Sequence, residues 1–281
     1  MSEPLSTIST PLIEAFSGEV ALAFYNFETG ETYTHNATQT MCAASLIKLP
    51  LLVQTLTEVA RGRLELNTRI PLKAEDRVGG AGILHALELG LEPTVRDLLT
   101  LMIIVSDNMA TNLVIDLLGL TEVNSFMQNL GLSQTKLVGK LQLPEDKQNE
   151  AQRRGERNAT CAADILGLLL RLENRDFLPD NLTDIALDIL KKQQFTEALA
   201  RYLPTDSELH DPHIVVASKS ACLRGLWHDA GIVYDAQGKP FYSLVMMTEG
   251  SEDRSYSWEQ EGMMLIARLS REIYDHFVKG R

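Results

Sequence analysis

The chain has 281 residues, of which 44% are hydrophobic, and 26 Lys and Arg residues against 38 Asp and Glu residues give it a formal net charge of −12 at pH 7. This length and composition predict a soluble globular protein with one large domain or two interleaved layers. The negative charge disfavours nucleic acid and anionic membrane surfaces as partners, so we expect a small-molecule or acyl-peptide-like substrate, and we expect a monomer.

The N-terminal residues contain neither a basic nor an apolar segment, and no run of about 18 uncharged apolar residues occurs. Cys42, Cys161 and Cys222 lack metal-type spacing and cannot all pair with one another. The six histidines form no metal-like cluster by spacing, so we predict no metal and no cofactor. We expect a cytoplasmic protein, or a periplasmic or secreted one if a leader has been removed.

Two strands are predicted near the N-terminus, at residues 19–26 and 31–34. The residues between them include Gly30, which can adopt the positive φ of a hairpin loop. An antiparallel sheet is therefore expected to begin here.

The middle of the chain, from residue 43 to about 194, has apolar residues at helical spacing. One helix is predicted to start at Thr94, which can act as its N-cap, with Asp97 as the N3 partner. Residues 139–160 interrupt the helical pattern with Pro144 and many polar residues, and we interpret them as a long ordered loop.

Strand patterns return near the C-terminus, at residues 213–220, 226–234 and 240–248, before an amphipathic helix predicted over residues 258–278. We therefore predict a discontinuous sheet domain from residues 1–36 and 195–281. Residues 37–194 would form an all-helical domain, with the site between the two.

Ser45 and Lys48 are spaced so that a helix would place both side chains on one face. A serine hydroxyl becomes a useful nucleophile when a base takes its proton, and a lysine can be that base if burial and nearby cations lower its pKa. The alternative is a helix-start serine followed by a solvated lysine. The apolar flanking residues favour the catalytic interpretation.

Two further segments carry candidate groups. Ser106 and Asn108 stand at a helix–helix junction, where they could relay a proton and bind a substrate carbonyl, or simply cap the next helix. Lys219 and Ser220 end a predicted strand, where a cation and a hydroxyl could bind a substrate carboxylate; an exposed strand lysine is the alternative. The backbone N–H of Cys222 could form an oxyanion hole with that of Ser45.

The order Ser-x-x-Lys, Ser-Asp-Asn and Lys-Ser-Ala resembles the set Ser-x-x-Lys, Ser-Asp-Asn and Lys-Thr-Gly of the class A β-lactamases and related penicillin-recognising serine hydrolases. The resemblance implies an α+β fold, with N- and C-terminal helices packed on an antiparallel sheet and an inserted all-α domain. It also implies that Ser45 is the acylated nucleophile, that Lys48 is a base or proton shuttle, and that Ser106 is the relay to the leaving nitrogen.

The same resemblance implies a glutamate in the long loop that activates the deacylating water, with an asparagine four residues later. Glu145 and Asn149 have that spacing, although Gln148 stands where the family has leucine. Glu150 and Glu156 remain competitors for the role, and a merely solvated Glu145 is the alternative.

Ala221 stands where the family has glycine, and its Cβ would crowd a backbone that must lie close to substrate. Arg224 is a candidate second cation for a substrate carboxylate, or else a turn-exposed arginine. Cys42 and Cys222 should both approach the pocket. They could form a disulfide, but a reducing compartment favours free thiols.

Three functions follow from this sequence. The first is β-lactam hydrolysis through an acyl-enzyme on Ser45. The second is peptidase, amidase or esterase chemistry, including D-Ala-D-Ala peptidase activity, with slow release of bound β-lactams. The third is a catalytically silent relative, which the complete set of candidate residues disfavours.

Overall fold

The computed structural model of the protein describes residues 4–205 and 214–279. Its α-helices are α1 (Leu5–Glu14), α2 (Lys48–Ala60), α3 (Val95–Ile104), α4 (Asn108–Leu118), α5 (Leu120–Asn129), α6 (Glu150–Arg153), α7 (Ala162–Glu173), α8 (Asp180–Lys191) and α9 (Glu261–Tyr274). Its strands are β1 (Glu19–Asn26), β2 (Thr32–His35), β3 (Met41–Cys42), β4 (Ala159–Thr160), β5 (Ile214–Leu223), β6 (Leu226–Asp235) and β7 (Pro240–Glu249). None of the described helices is long and apolar enough to cross a bilayer.

A five-stranded antiparallel sheet in the order β2-β1-β7-β6-β5 forms the centre of the fold. The N-terminal hairpin is confirmed, and Gly30 adopts φ +73° in its loop. The sheet combines the two ends of the chain, so the predicted α+β class is confirmed.

Both faces of the sheet are buried. Along β1, Val20, Leu22 and Phe24 pack with α1 and α9 on one face, while Ala21 and Ala23 join the core shared with the helical residues on the other. This alternation follows from the two-residue period of a strand. The small alanines allow α7 to pack directly on β1 and β7.

Residues 37–194 are not wholly helical. β3 pairs with β4 in a two-stranded antiparallel ladder, and this ladder brings the start of the Ser45 segment to the end of the long loop. α7 also belongs to the layer on the sheet as much as to the helical bundle, because it contacts β1, β6 and β7.

Several element boundaries differ from the predicted ones. β5 continues to Leu223, so Lys219 and Ser220 lie within a strand rather than at its end; the predicted start of that strand, residue 213, lies outside the described residues. The C-terminal helix starts at Glu261, because the side chain of Gln260 caps it by accepting the Met263 N–H. The capped start at Thr94 is confirmed, with Thr94 and Asp97 bonding reciprocally.

Candidate active site

Ser45 lies in a 3-10 turn, Ala44–Ile47, between β3 and α2. Ala44 before it has φ +41°, and Ser106, at the junction of α3 and α4, has φ +54°. A residue other than glycine whose backbone adopts this left-handed conformation costs free energy, and such residues concentrate at functional sites. The backbone is therefore strained at the residue before the candidate nucleophile and at Ser106, its hydrogen-bond partner.

Lys48 is the first residue of α2 and is completely buried. Its Nζ donates to the Ser106 carbonyl oxygen at 2.6 Å, to Ser106 Oγ at 2.9 Å and to Asn108 Oδ1 at 3.0 Å. These three hydrogen bonds fix the position of the Lys48 amine.

The electrostatics around Lys48 favour the neutral amine. Burial lowers the pKa of Lys48 well below its usual value, and the nearby positive charge of Lys219 lowers it further, while Asp107 opposes both effects. In the described part of the chain, no carboxylate forms an ion pair with Lys48. Lys48 can therefore accept a proton at a pH where a solvated lysine could not.

Ser106 connects this amine to the nucleophile, because its Oγ donates to Ser45 Oγ at 2.8 Å. Serine hydroxyls can rotate, so the same pair of contacts can carry a proton in either direction between Ser45 and Lys48. Ser45, Lys48, Ser106 and Asn108, singled out from the sequence as separate motifs, are brought together here.

Asp107 and Asn108 anchor the junction to a glycine-rich loop at residues 79–82. Asp107 caps α4 and accepts the Ile83 N–H at 2.7 Å. Asn108 donates to the Gly79 carbonyl oxygen at 3.1 Å. Gly80 has φ +84°, and a Cβ on it would stand 2.6 Å from Asn108 Nδ2. The glycines at positions 79, 80 and 82 are the sequence feature that could have pointed to this loop.

Lys219 is completely buried in β5, and its Nζ donates to the Ser220 carbonyl oxygen at 2.6 Å. Burial lowers its pKa to about 8, against the opposing effect of Asp229. Ser220 is largely buried and lines a cavity together with Ser45 and Ser106. Ala221 lines the same cavity, so its Cβ reduces the space beside Ser45.

Two cavities meet at Ser45. The larger, about 510 Å³, lies toward the long loop, and the smaller, about 280 Å³, lies toward β5 and α9. Both are lined by Ser45, Ala81, Cys222 and Tyr256. Cys222 thus lies beside the nucleophile, and the cysteine thiols are all free, so Cys42 and Cys222 are not paired.

Glu145 is not brought to this site. It is exposed in a 3-10 turn, Glu145–Lys147, and it is not among the described residues that line either cavity at Ser45. Asn149 instead fastens the loop, because its side chain caps α6 and donates to the Val138 carbonyl oxygen at 2.7 Å. The predicted water-activating pair is therefore corrected: the spacing matched, but the loop turns these residues away from Ser45.

Other loop residues line the larger cavity, namely Leu141, Gln142, Gln148, Gln152, Gly155, Glu156, Arg157 and Asn158. The Asn112 side chain holds Leu141 by accepting its N–H at 2.8 Å and donating to its carbonyl oxygen at 2.9 Å. Glu156, one of the competitors, faces the cavity but is paired with Arg154 at 2.9 Å and Lys136 at 3.3 Å. The hydrogen bonds from Arg154 and Lys136 lower the pKa of Glu156, which weakens it as a base.

Arg224 is exposed in an adjoining cavity of about 390 Å³, which shares Arg157 and Leu223 with the larger cavity at Ser45. It does not line either cavity that contains the nucleophile. Within residues 4–205 and 214–279, no group of three or more His, Cys, Asp or Glu side chains is arranged to hold a metal.

Comparison with known proteins gives a consistent result. The model of the beta-lactamase enzyme family matches residues 4–277. A beta-lactamase from Sphaerobacter thermophilus is 29% identical, with a TM-score of 0.82 over 96% of this chain and 95% of that one. A leucine-to-glutamate variant of PBP-A, solved as an acyl-enzyme complex with penicillin G, is 26% identical, with a TM-score of 0.81 over 99% and 98% of the two chains. An ancestral class A beta-lactamase has the same fold, with a TM-score of 0.82. It is 22% identical to this chain, and the match covers 98% of this chain and 100% of the ancestral one.

Proposed function

The chain belongs to the beta-lactamase enzyme family, and we propose that it is a serine hydrolase in which an amide or ester substrate acylates Ser45. The acyl group then leaves Ser45 slowly. The observation that carries this proposal is the buried Lys48–Ser106–Ser45 hydrogen-bond chain. A buried amine with a lowered pKa, linked to a serine hydroxyl, supplies the base that nucleophilic catalysis needs.

In the acylation step, Ser45 Oγ attacks the carbonyl carbon while its proton passes through Ser106 to Lys48. The backbone N–H groups of Ser45 and Cys222 would stabilise the oxyanion, which is why the position of Cys222 beside the nucleophile matters. The tetrahedral intermediate then breaks its bond to the leaving atom. Ser106 returns the proton to that atom, and an ester on Ser45 remains.

Deacylation makes a different demand, because a base must take a proton from a water that attacks the ester. Three glutamines line the larger cavity on the loop side, and an amide cannot serve as that base at neutral pH. Glu156 is engaged in two ion pairs and has a lowered pKa. These features favour a long-lived acyl-enzyme over rapid turnover.

The relatives support a β-lactam as a probe of this chemistry. The PBP-A variant was captured with penicillin G as an acyl-enzyme, and it is similar to this chain over nearly its whole length. Penicillin is therefore a suitable acylating agent for a first test, whatever the natural substrate.

Rapid β-lactam hydrolysis is the second candidate function. Glu156 favours it, because this carboxylate does line the cavity that contains Ser45. If the two ion pairs open when substrate binds, Glu156 could activate the deacylating water.

Intact-protein mass spectrometry after mixing with penicillin G tests the proposal. Ring opening adds the whole penicillin to Ser45, so we expect a mass increase equal to one penicillin that persists for minutes or longer. Ser45→Ala should remove the adduct without unfolding the protein, since only a hydroxyl is lost. A folded Ser45→Ala protein that still forms the adduct would refute the nucleophile assignment, and rapid product release without a detectable adduct would support the second candidate.

A further inference from the structure

Three arginines line the cavity that adjoins the loop side of the active site. Arg157 stands near the end of the long loop, Arg224 in the turn between β5 and β6, and Arg254 after β7. This arginine cavity, of about 390 Å³, shares Arg157 and Leu223 with the larger cavity at Ser45. A group bound to Ser45 can therefore extend from the larger cavity into the arginine cavity.

The side chains of these arginines are not used by the protein itself. Within residues 4–205 and 214–279, the guanidinium groups of Arg157, Arg224 and Arg254 make neither a hydrogen bond nor an ion pair. Of the other arginines in this part of the chain, only Arg96 and Arg268 share that property. An unpaired guanidinium group keeps all its N–H donors available to an anion.

Two of the arginines lie against the same turn. Gly225, which follows Arg224, has φ +75°, and its carbonyl oxygen accepts the Ser251 N–H at 3.1 Å. A Cβ on Gly225 would stand 3.8 Å from Arg254 Nε. The turn that carries Arg224 is thus fastened to the segment that carries Arg254, and the two arginines reach the cavity from adjacent backbone.

Two carboxylates also line the arginine cavity, those of Glu249 and Glu252. Glu249 is engaged elsewhere, because its Oε2 accepts the Cys42 N–H at 3.1 Å. Three arginines against two glutamates give the cavity a formal charge of +1, in a chain whose net charge is −12. The cavity is therefore a local cationic site, and the planar guanidinium group matches the geometry of a carboxylate.

The position of Ser106 indicates which part of a substrate faces the arginines. In the proposed acylation step, Ser106 returns the proton to the leaving atom. Ser106 lines the smaller cavity, whereas the described lining of the larger cavity does not include it. The leaving group therefore lies on the side of the smaller cavity, and the acyl group lies on the loop side, from which the arginine cavity opens.

Strand β5 sets how far an anion must lie from the reacting carbonyl. The N–H of Cys222 would bind the oxyanion, and Arg224 follows two residues later. Two residues of an extended strand span about 7 Å. An acyl group would therefore have to carry its anion several bonds away from the carbonyl that Ser45 attacks.

We propose that the arginine cavity is an anion-binding subsite for the acyl group, and that the acyl donors it selects end in a carboxylate on that side. This inference rests on the proposed acylation of Ser45 and names the substrate class of that reaction. Ser45 Oγ bonds to the carbonyl carbon, the bond from that carbon to the leaving atom breaks, and the leaving atom receives Ser45's proton through Ser106. The carboxylate stays with the acyl-enzyme, beside the arginines.

Two penicillins that differ only at the end of the acyl side chain test the subsite: one with an adipoyl side chain, and the same compound with the terminal carboxylate replaced by a carboxamide. They share the reacting ring and the leaving group. Intact-protein mass spectrometry gives the second-order rate constant for the adduct on Ser45. We expect the carboxylate compound to react about 3- to 5-fold faster at low salt, and high salt should reduce this ratio. The net charge of the chain alone would give the opposite preference.

Variants then assign the effect to the arginine cavity. Arg224→Gln and Arg254→Gln should each lower the ratio toward one, and Glu252→Gln should raise it. Arg268→Gln removes the same charge from an exposed arginine outside the cavity, so it should leave the ratio unchanged. A wild-type ratio of one or less, or a ratio that Arg268→Gln lowers as much as Arg224→Gln does, would overturn the inference.

The proposed function fails separately. If neither penicillin forms an adduct that depends on Ser45, the acylation step is wrong and the subsite inference falls with it. If both acylate Ser45 at equal rates, the nucleophile assignment stands and the anion-binding subsite is refuted.

Discussion

Replacing Lys219 with methionine should change the pH dependence of acylation, because the two buried lysines are electrostatically coupled. The charge of Lys219 lowers the pKa of Lys48. Lys219→Met keeps a long apolar side chain in the buried position and removes the charge. The pKa of Lys48 should therefore rise.

The sign of the rate effect follows from the role of Lys48 as a base. Acylation requires the neutral amine, so its rate falls as the pH drops below the pKa of Lys48. A higher pKa leaves less neutral amine at a given acidic pH. The acid limb of the profile should move to higher pH in Lys219→Met, while the rate on the plateau should change less.

The size of the shift can be estimated from Coulomb's law. Two unit charges on neighbouring side chains interact by about 1 to 4 kcal/mol at an effective dielectric constant of about 20. Asp229 already offsets part of the charge of Lys219, so we expect an effect on acylation at the low end of that range, where about 1.4 kcal/mol corresponds to a factor of ten. On the acid limb, acylation by the variant should thus be about tenfold slower.

The assay is the pseudo-first-order rate of labelling by a fluorescent penicillin between pH 4 and 9, compared among the wild type, Lys219→Met and Lys219→Arg. Lys219→Arg keeps the positive charge, so a folded Lys219→Arg protein should keep the acid limb near that of the wild type. An acid limb that stays in place in Lys219→Met, or moves to lower pH, would refute the coupling. Equal losses at every pH would mean that Lys219 acts in substrate binding and not on Lys48.

Three further predictions concern the loops around Ser45. Leu141→Glu should place a base in the larger cavity on a backbone that is already held in position, and mass spectrometry should show the penicillin adduct decaying about 10²-fold or more faster; an unchanged adduct lifetime would refute this. Glu145→Gln should leave both the labelling of Ser45 and the release of the acyl group unchanged. If the second candidate function is correct, Glu156→Gln should slow that release. Slower release in Glu145→Gln alone would restore Glu145 as the base. Gly80→Ala should slow labelling by about tenfold or more and lower Tm, because a Cβ there would displace the side-chain amide of Asn108, which binds Lys48. The matched Gly79→Ala, with nothing within 4 Å of its Cβ, should resemble the wild type. Equal effects of the two substitutions would refute the argument.

The parts of the fold that were predicted well are those with strong periodicity. Residues 19–26 were predicted as a strand and form β1 with the same bounds, and the capping pair at Thr94 and Asp97 marks the start of α3. Both are local signals, because strand alternation and capping hydrogen bonds act over a few residues. The end of β5 was misplaced, since β6 supplies partners beyond Ser220 that local sequence does not reveal.

The same reasoning explains why the core of the candidate site could be predicted. Ser45 and Lys48 are neighbours along the chain, so local geometry brings them close whatever the rest of the fold does. Ser106 and Asn108 are 61 and 63 residues from Ser45 and could be joined to it only through the family resemblance. The three arginines of the arginine cavity come from three separate segments, and no sequence pattern linked them.

Glu145 shows where spacing alone fails. A carboxylate and an amide four residues apart were expected to face Ser45, but their direction depends on how the loop is fastened, and that is decided by distant partners. Asn112 in α4 binds the backbone of Leu141, and Asn149 turns inward to bind Val138, which leaves Glu145 in solvent. The direction of the loop is therefore set in part by hydrogen bonds to backbone carbonyl and N–H groups, which every sequence has. On the proposed acylation of Ser45, release of the acyl group needs a proton acceptor in the larger cavity, and Glu156 is the carboxylate among its described lining residues.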